Sequence, residues 1–176
     1  MTTVRLARPE DLPFLAAIED AGDALFAERF GELDWPAASS GEERAAEPGI
    51  LLVAVAVAVA VAVDDQDEGT VIGFSHVLDL DGHWYLEQIA VHPVHGQQGI
   101  GATLLEATHA ELARRGGREV ALVTYADVPW NAPFYASHGY RVLDTLPEHL
   151  VPVWQGQERF GLARHGARVA MVRDLP

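Results

Sequence analysis

The chain has 176 residues, 49% of them hydrophobic, which suits one folded domain over residues 1–176 with a substantial core. It contains no cysteine, so disulfides, thiolate metal sites and cysteine nucleophiles are excluded. Its net charge is −14 and arginine is its only basic residue, which argues against nucleic acid or an anionic membrane as partner. Such a surface serves solubility and would also attract a cationic small molecule such as an amine. The start Met1-Thr2-Thr3-Val4-Arg5 lacks a signal-peptide pattern, and a cytoplasmic location is expected.

Residues Thr3 to Arg8 alternate and read as a first strand. Pro9-Glu10-Asp11 then opens a helix, with proline and acids in its first turn. Leu12, Leu15, Ile18, Leu25 and Phe26 form its apolar stripe, and Gly22 is expected to break it in two. Gly31 to Pro48 reads as a loop. Leu51 to Val63 alternates valine with alanine and predicts a long strand of weakly specified register, followed by an acidic hairpin loop over Asp64 to Gly69. Thr70 to Leu80 returns as a strand, Asp81-Gly82 turns the chain, and His83 to His92 is the next strand.

That strand runs into the glycine-rich turn His95-Gly96-Gln97-Gln98-Gly99-Ile100-Gly101, which opens a helix. Free backbone N–H groups and a positive dipole end meet at such a junction, where a phosphate could sit. Ile100, Leu104, Leu105, Thr108 and Leu112 make the buried stripe of this helix, and Gly116-Gly117 end it. Glu119 to Thr124, Tyr140 to Leu143 and Val169 to Arg173 read as strands, and Pro133 to His138 as a short helix. Asp144 to Gly166 reads as a long loop of the kind that is often functional. The expected fold class is α/β (α+β mixed): a mixed, mostly antiparallel twisted sheet of about seven strands, with helices on both faces.

Two motifs carry a resemblance. Ile89-Ala90-Val91-His92-Pro93 leads into Gly96-Gln97-Gln98-Gly99-Ile100-Gly101, and about thirty-five residues further on stands Phe134-Tyr135-Ala136-Ser137-His138-Gly139-Tyr140. In this order, with a helix and a strand between them, they resemble the GNAT superfamily of N-acetyltransferases over residues 70 to 143. The resemblance implies acetyl-CoA as co-substrate and a splayed pair of parallel strands that admits the thioester beside Leu122 to Tyr125. It implies cofactor contacts from the main chain of Ile89, Ala90 and Val91 at a bulge, and from His95, Gly96, Gln97, Gln98, Gly99, Ile100, Gly101, Ala102, Phe134 and Tyr135. Gly96 departs from the family, which usually has Arg or Gln there, so phosphate binding would rest on backbone N–H groups, Gln97, Gln98 and His95.

Tyr135 matches the family's tyrosine that protonates the departing thiolate. Glu87 is the candidate base, or else a surface carboxylate on an alternating strand; the N–H of Ile89 is the candidate oxyanion donor. Asn131 either contacts the pantetheine arm or caps the short helix. Acceptor contacts are assigned to Asp23, Phe26, Glu28, Trp84 and the segment around Glu148 to Glu158, with Trp35, Trp130 and Trp154 as further possible walls. His92 and His95 lack the partners of a metal site, and no metal is expected; His76, His83, His109 and His138 read as surface residues.

The expected activity is acetyl transfer to a primary amine on a small cationic molecule, by direct attack in a ternary complex. The alternatives are a non-catalytic acyl-CoA-binding module or sensor, and a protein N-terminal acetyltransferase. A dinucleotide-dependent oxidoreductase is disfavoured because the glycine turn follows the fourth strand rather than opening a βαβ unit. The expected partner is a small-molecule amine, with no nucleic acid and no membrane, and a homodimer is allowed.

Overall fold

The computed structural model describes residues 1–56 and 69–176. Seven strands form one sheet: β1 (Thr2–Leu6), β2 (Gly49–Ala56), β3 (Thr70–Leu80), β4 (His83–Val91), β5 (Glu119–Tyr125), β6 (Arg141–Val142) and β7 (Arg168–Asp174). Their spatial order is β1-β2-β3-β4-β5-β7-β6. All neighbours pair antiparallel except β4 and β5, which are parallel. The valine–alanine repeat enters the sheet as β2; residues 57–63 of the expected strand and the expected acidic hairpin lie outside the described residues.

Among the described residues five α-helices cover the sheet: α1 (Leu15–Phe30), α2 (Gly41–Ala46), α3 (Ile100–Arg114), α4 (Ala132–Ser137) and α5 (Val151–Arg159). Leu15 and Ile18 of α1 pack on Val53, Val55, Val71 and Phe74. On the opposite face Ile100 and Leu104 of α3 meet Ala54 and Ile72, while Leu105 and Leu112 meet Leu86, Val120 and Leu122. The apolar stripe read for α3 is thus the one that is buried, at about 25 cal/mol per Å² of apolar surface removed from water.

Several expectations are corrected. Gly22 does not break its helix; α1 runs through it, because one glycine costs only about 1 kcal/mol in a helix anchored by Leu15 and Ile18. The segment read as a loop over 31–48 holds α2, started by a capping box in which the Ser40 hydroxyl accepts from Glu43 N and the Ser40 N–H donates to the Glu43 carboxylate. The segment read as a loop over 144–166 holds α5, with Pro152 in its first turn. His76 and His109 are buried rather than superficial. His109 accepts from Arg173 at 2.6 Å and pairs with the Tyr140 hydroxyl at 2.9 Å, and burial pushes its imidazole down to about 4.

The β4–β5 pair sets the site. Its parallel register holds only at Trp84↔Val120 and Tyr85↔Ala121, beyond which the strands separate. On its other side β4 is bulged: His76 and Val77 of β3 face Gln88 and Leu86, so Glu87 is the inserted residue. The bulge therefore lies at Glu87 and not at Ile89 to Val91, which keep regular partners in β3. The insertion inverts the alternation, so Leu86 and Ile89 both pack on the α3 side while Ala90 packs on the α1 side.

The turn over Pro9–Phe14 holds α2 at very short range, since a Cβ on Gly41 would lie 2.2 Å from the Leu12 carbonyl oxygen. Gly41→Ala is expected to displace α2 and lower stability by about 1–3 kcal/mol, read from thermal and urea denaturation.

Candidate functional site

A cleft of about 1370 Å³ opens where β4 and β5 part. Its walls are the facing edges of the two strands, residues 86–91 and 122–125. One mouth lies at the start of α3 and the other under α1 and α5.

At the first mouth Gly99 precedes α3 with φ +78°, a left-handed conformation that glycine adopts without strain. The helical ladder begins with Thr103 N–H donating to Gly99 C=O at 3.0 Å. The amides of Ile100, Gly101 and Ala102 in the first turn therefore point outward without an intrahelical acceptor. His95, Gly96, Gln97, Gly99, Ile100, Gly101 and Ala102 line this mouth; Gln98 does not and is exposed. No arginine is among the lining residues here, so any anion meets main-chain donors and the helix dipole.

Midway stand Asn131, Phe134 and Tyr135. Asn131 occupies the N-cap position of α4 but makes no side-chain cap, which corrects the capping reading; its Oδ1 is buried without a partner. Tyr135 is 7% exposed, packed edge-on to Phe134 and Tyr140 with centroids 5.3 and 5.5 Å away. Its hydroxyl has no hydrogen-bond partner among the described residues, and burial pushes its pKa up, so it stays protonated. The Ile89 N–H is engaged: the side-chain oxygen of Gln88 accepts from it at 3.0 Å, and Gln88 Nε2 donates to Glu19 at 2.9 Å.

At the bulge Glu87 is neither a free base nor a simple surface carboxylate. A third of its side chain opens on the cleft, while its carboxylate is turned toward Arg44 and His76. Arg44 of α2, only 3% exposed, donates to Glu87 at 2.5 Å and to Glu19 of α1, and stacks on the Phe74 ring at 5.2 Å. His76 Nδ1 lies 3.2 Å from the same Glu87 oxygen. Burial pushes the Glu87 carboxyl up, but His76 and Arg44 together hold it below its ordinary range; for Glu19 burial wins and the carboxyl is raised. This network was missed in the sequence because Arg44 sits far from the motifs, in a segment read as loop.

At the second mouth Asp23 and Phe26 of α1, Trp35, Tyr125 and Trp130 face the cleft. Phe26 lies 5.1 Å from Trp35, 6.0 Å from Tyr125 and 5.5 Å from Trp130, which makes an aromatic wall. Burial, with the like charges of Glu19 and Asp20, pushes Asp23 up to about 6. Glu28 is exposed outside the cleft, and Trp84 packs against Gly117 and the core below α3; neither lines the acceptor end. Trp154 packs with Leu150 instead, and the late segment reaches the cleft through Pro152, Val153, Gly156 and Gln157.

Comparison with known proteins agrees with this geometry. Residues 56–142 match the family described as Acetyltransferase (GNAT) domain. N-acetylglutamate synthase from Neisseria gonorrhoeae, solved with coenzyme A and N-acetyl-glutamate, aligns over 100% of this chain at 16% identity and TM-score 0.67, and this chain spans only 35% of that one. Rv2747 from Mycobacterium tuberculosis, solved with CoA, aligns over 99% of both chains at 18% identity and TM-score 0.64. An aminoglycoside 6'-N-acetyltransferase solved with coenzyme A aligns over 99% of this chain and 98% of its own, at 19% identity and TM-score 0.60. The chain belongs to the GNAT superfamily and is an acetyltransferase.

The raised Asp23 carboxyl makes a signed prediction. Its folded pKa of about 6 stands above the ordinary 3.8, so the stability linked to its proton is present below pH 3.8 and lost as pH rises through 6. Asp23→Asn is therefore expected to raise the melting temperature at pH 8 and to leave it nearly unchanged at pH 4, read by calorimetry at both values.

Proposed function

We propose that the protein transfers the acetyl group of acetyl-CoA to the primary amine of a small molecule, by direct attack in a ternary complex. The observation that carries this reading is the buried Tyr135 hydroxyl, which stays protonated, has no partner among the described residues and belongs to a residue lining the cleft between the two mouths. A cytoplasmic location fits the reading; no helix among the described residues is long and apolar enough to cross a membrane.

The pyrophosphate would lie on the amides of Ile100, Gly101 and Ala102, with His95 and Gln97 beside it. The pantetheine amides would take the open edge of Ile89 to Val91 and the unpaired Asn131 Oδ1. The thioester carbonyl oxygen would replace Gln88 Oε1 on the Ile89 N–H, a spot already shaped for an acyl oxygen.

The amine lone pair then attacks the carbonyl carbon, a C–N bond forms and the C–S bond breaks. Sulfur leaves with the electron pair and takes the Tyr135 proton, while the second proton of the attacking nitrogen, acidic once the C–N bond has formed, passes to the Tyr135 oxygen and restores the phenol. The proton that the ammonium must first lose goes to a carboxylate of the acceptor end. Asp23, at about 6, is matched to that task near neutral pH, whereas Glu87 is held ionised by Arg44 and His76 and is a weaker proton acceptor. Glu87 instead fixes a negative charge beside the arriving ammonium.

Thiol release from acetyl-CoA with a panel of amines tests the reading. Tyr135→Phe is expected to lower kcat by about 10²-fold while calorimetric acetyl-CoA affinity changes little. Asp23→Asn is expected to abolish the rise of kcat/KM through pH 6. Cofactor binding without turnover on any amine would favour the acyl-CoA-binding module instead.

A further inference from the structure

Arg168 opens β7, paired with Tyr125 of β5, and lines the acceptor end of the cleft. Its Nε and Nη2 donate to Gln157 Oε1 of α5 at 3.1 and 2.8 Å, and Nη2 donates to the Val123 carbonyl at 3.2 Å. Its guanidinium carbon lies 4.2 Å from the centroid of the Tyr125 ring. Every one of these partners is neutral. No carboxylate among the described residues comes within ion-pair distance of it, and Nη1 has no acceptor among them.

The other inward arginines show the contrast. Arg44 holds Glu19 and Glu87, Arg5 holds Asp11, and Arg173 holds Glu106. The chain has 26 acidic residues against 12 basic ones, and among the described residues none of the carboxylates pairs with Arg168. Burial lowers the Arg168 pKa, but a guanidinium stays charged in a protein, so a cation with no counter-charge among the described residues faces the cleft. A planar fork of this kind matches a carboxylate.

Across the same cleft Asp23 likewise has no cation within ion-pair distance among the described residues. Tyr125 lies within electrostatic reach of both, since Arg168 lowers its phenol pKa and Asp23 raises it. The aromatic wall of Phe26, Trp35 and Trp130 adjoins them. An unpaired cation and an unpaired anion beside an apolar wall are complementary to a zwitterion with an apolar side chain.

We propose that the acceptor is a free amino acid with an apolar side chain, its carboxylate held by Arg168, its ammonium facing Asp23 and its side chain against Phe26, Trp35 and Trp130. This rests on the transferase reading above and narrows its substrate to an amino carboxylate. A polyamine, an aminoglycoside or a protein N-terminus offers no carboxylate beside its amine and leaves Arg168 without a counter-ion.

The test compares phenylalanine, phenylalaninamide and phenethylamine, by thiol release from acetyl-CoA and by calorimetric binding to the CoA-loaded protein. The free acid is expected to exceed the other two by about 100-fold in kcat/KM and in affinity, the scale of a desolvated charge pair. In Arg168→Gln that preference is expected to fall to about unity, with CoA affinity unchanged and the melting temperature of the ligand-free protein not lowered. A merely structural Arg168 would lower that melting temperature and weaken all three amines alike, and would overturn the proposal. Equal use of the acid and its amide by the native protein would overturn it as well, while leaving the transferase reading intact. Binding of the acid to the native protein, lost in Arg168→Gln, with no thiol released from any amine would uphold the carboxylate site and overturn the transferase reading. No binding of the acid would sink the inference whatever the turnover.

Discussion

The structure depends on two parallel strands that stay together for two residue pairs and then part. After Tyr85↔Ala121 the facing edges of β4 and β5 have no strand between them, although β3 and β7 hold their outer edges in register. Backbone groups inside a protein must find partners, so such a gap persists only where side chains, water or a ligand supply them. Side chains already supply two: Gln88 Oε1 sits on the Ile89 N–H and Arg168 sits on the Val123 carbonyl. The rest of the gap has the length and the donor–acceptor edges to suit a flexible amide chain. The bulge at Glu87 works with this. It reverses the side-chain alternation within β4, so the strand feeds the α3 core before and after it and turns a carboxylate toward α2 between.

Charge is distributed with the same economy. Arg44 is the ion-paired cation of the cleft, and it serves two carboxylates at once, one from α1 and one from β4. It thereby ties α1 and α2 to the bulge, which makes the position of Glu87 a tertiary property rather than a property of β4. Removing Arg44 would leave two carboxylates, one of them largely buried, without their cation, and breaking such a pair costs more than the pair contributes. Asp23 makes no ion pair with this cation, and its carboxyl is raised where Glu87 is lowered. Two acids lining one cleft thus differ in proton affinity: His76 and Arg44 hold Glu87 down, while burial and the like charges of Glu19 and Asp20 raise Asp23.

How much of this was legible in the sequence follows from how local each signal is. The glycine turn, the α3 stripe and the Phe134-Tyr135 run are local patterns, and each took the expected conformation. The seven-stranded mixed sheet followed from strand spacing and one helical crossover. α2 and α5 were hidden because a helix of six to nine residues shows too few apolar repeats to stand out, and Gly41, Pro152 and Gly156 lie within them. The Ser40-to-Glu43 capping box was the one signal that could have revealed α2. His76 and Arg44 were illegible for another reason: their burial depends on partners from β4 and α1, far away in the chain. Glu28 and Trp84 failed as acceptor contacts because helix phase and strand register turn them away from the gap, and both are set by packing rather than composition.

The remaining tension lies at the first mouth. A chain of net charge −14 repels a polyanion at long range, and no guanidinium waits beside the glycine turn to reverse that locally. Repulsion between exposed charges dies away over a screening length of about 8 Å at physiological salt, whereas amides in contact with a phosphate act well inside it. The main-chain donors of the first turn, aligned by the α3 dipole and opened by the left-handed Gly99, can therefore hold an anion that the distant surface disfavours. Gly96 suits this arrangement: a Cβ there would press on the Pro93 carbonyl at 3.0 Å, so the turn is wound too tightly at that point for a larger residue without a shift of its backbone. Grip by backbone rather than by side-chain charge keeps the anion's position tied to the helix axis, and with it the aim of whatever lies further down the gap toward Tyr135.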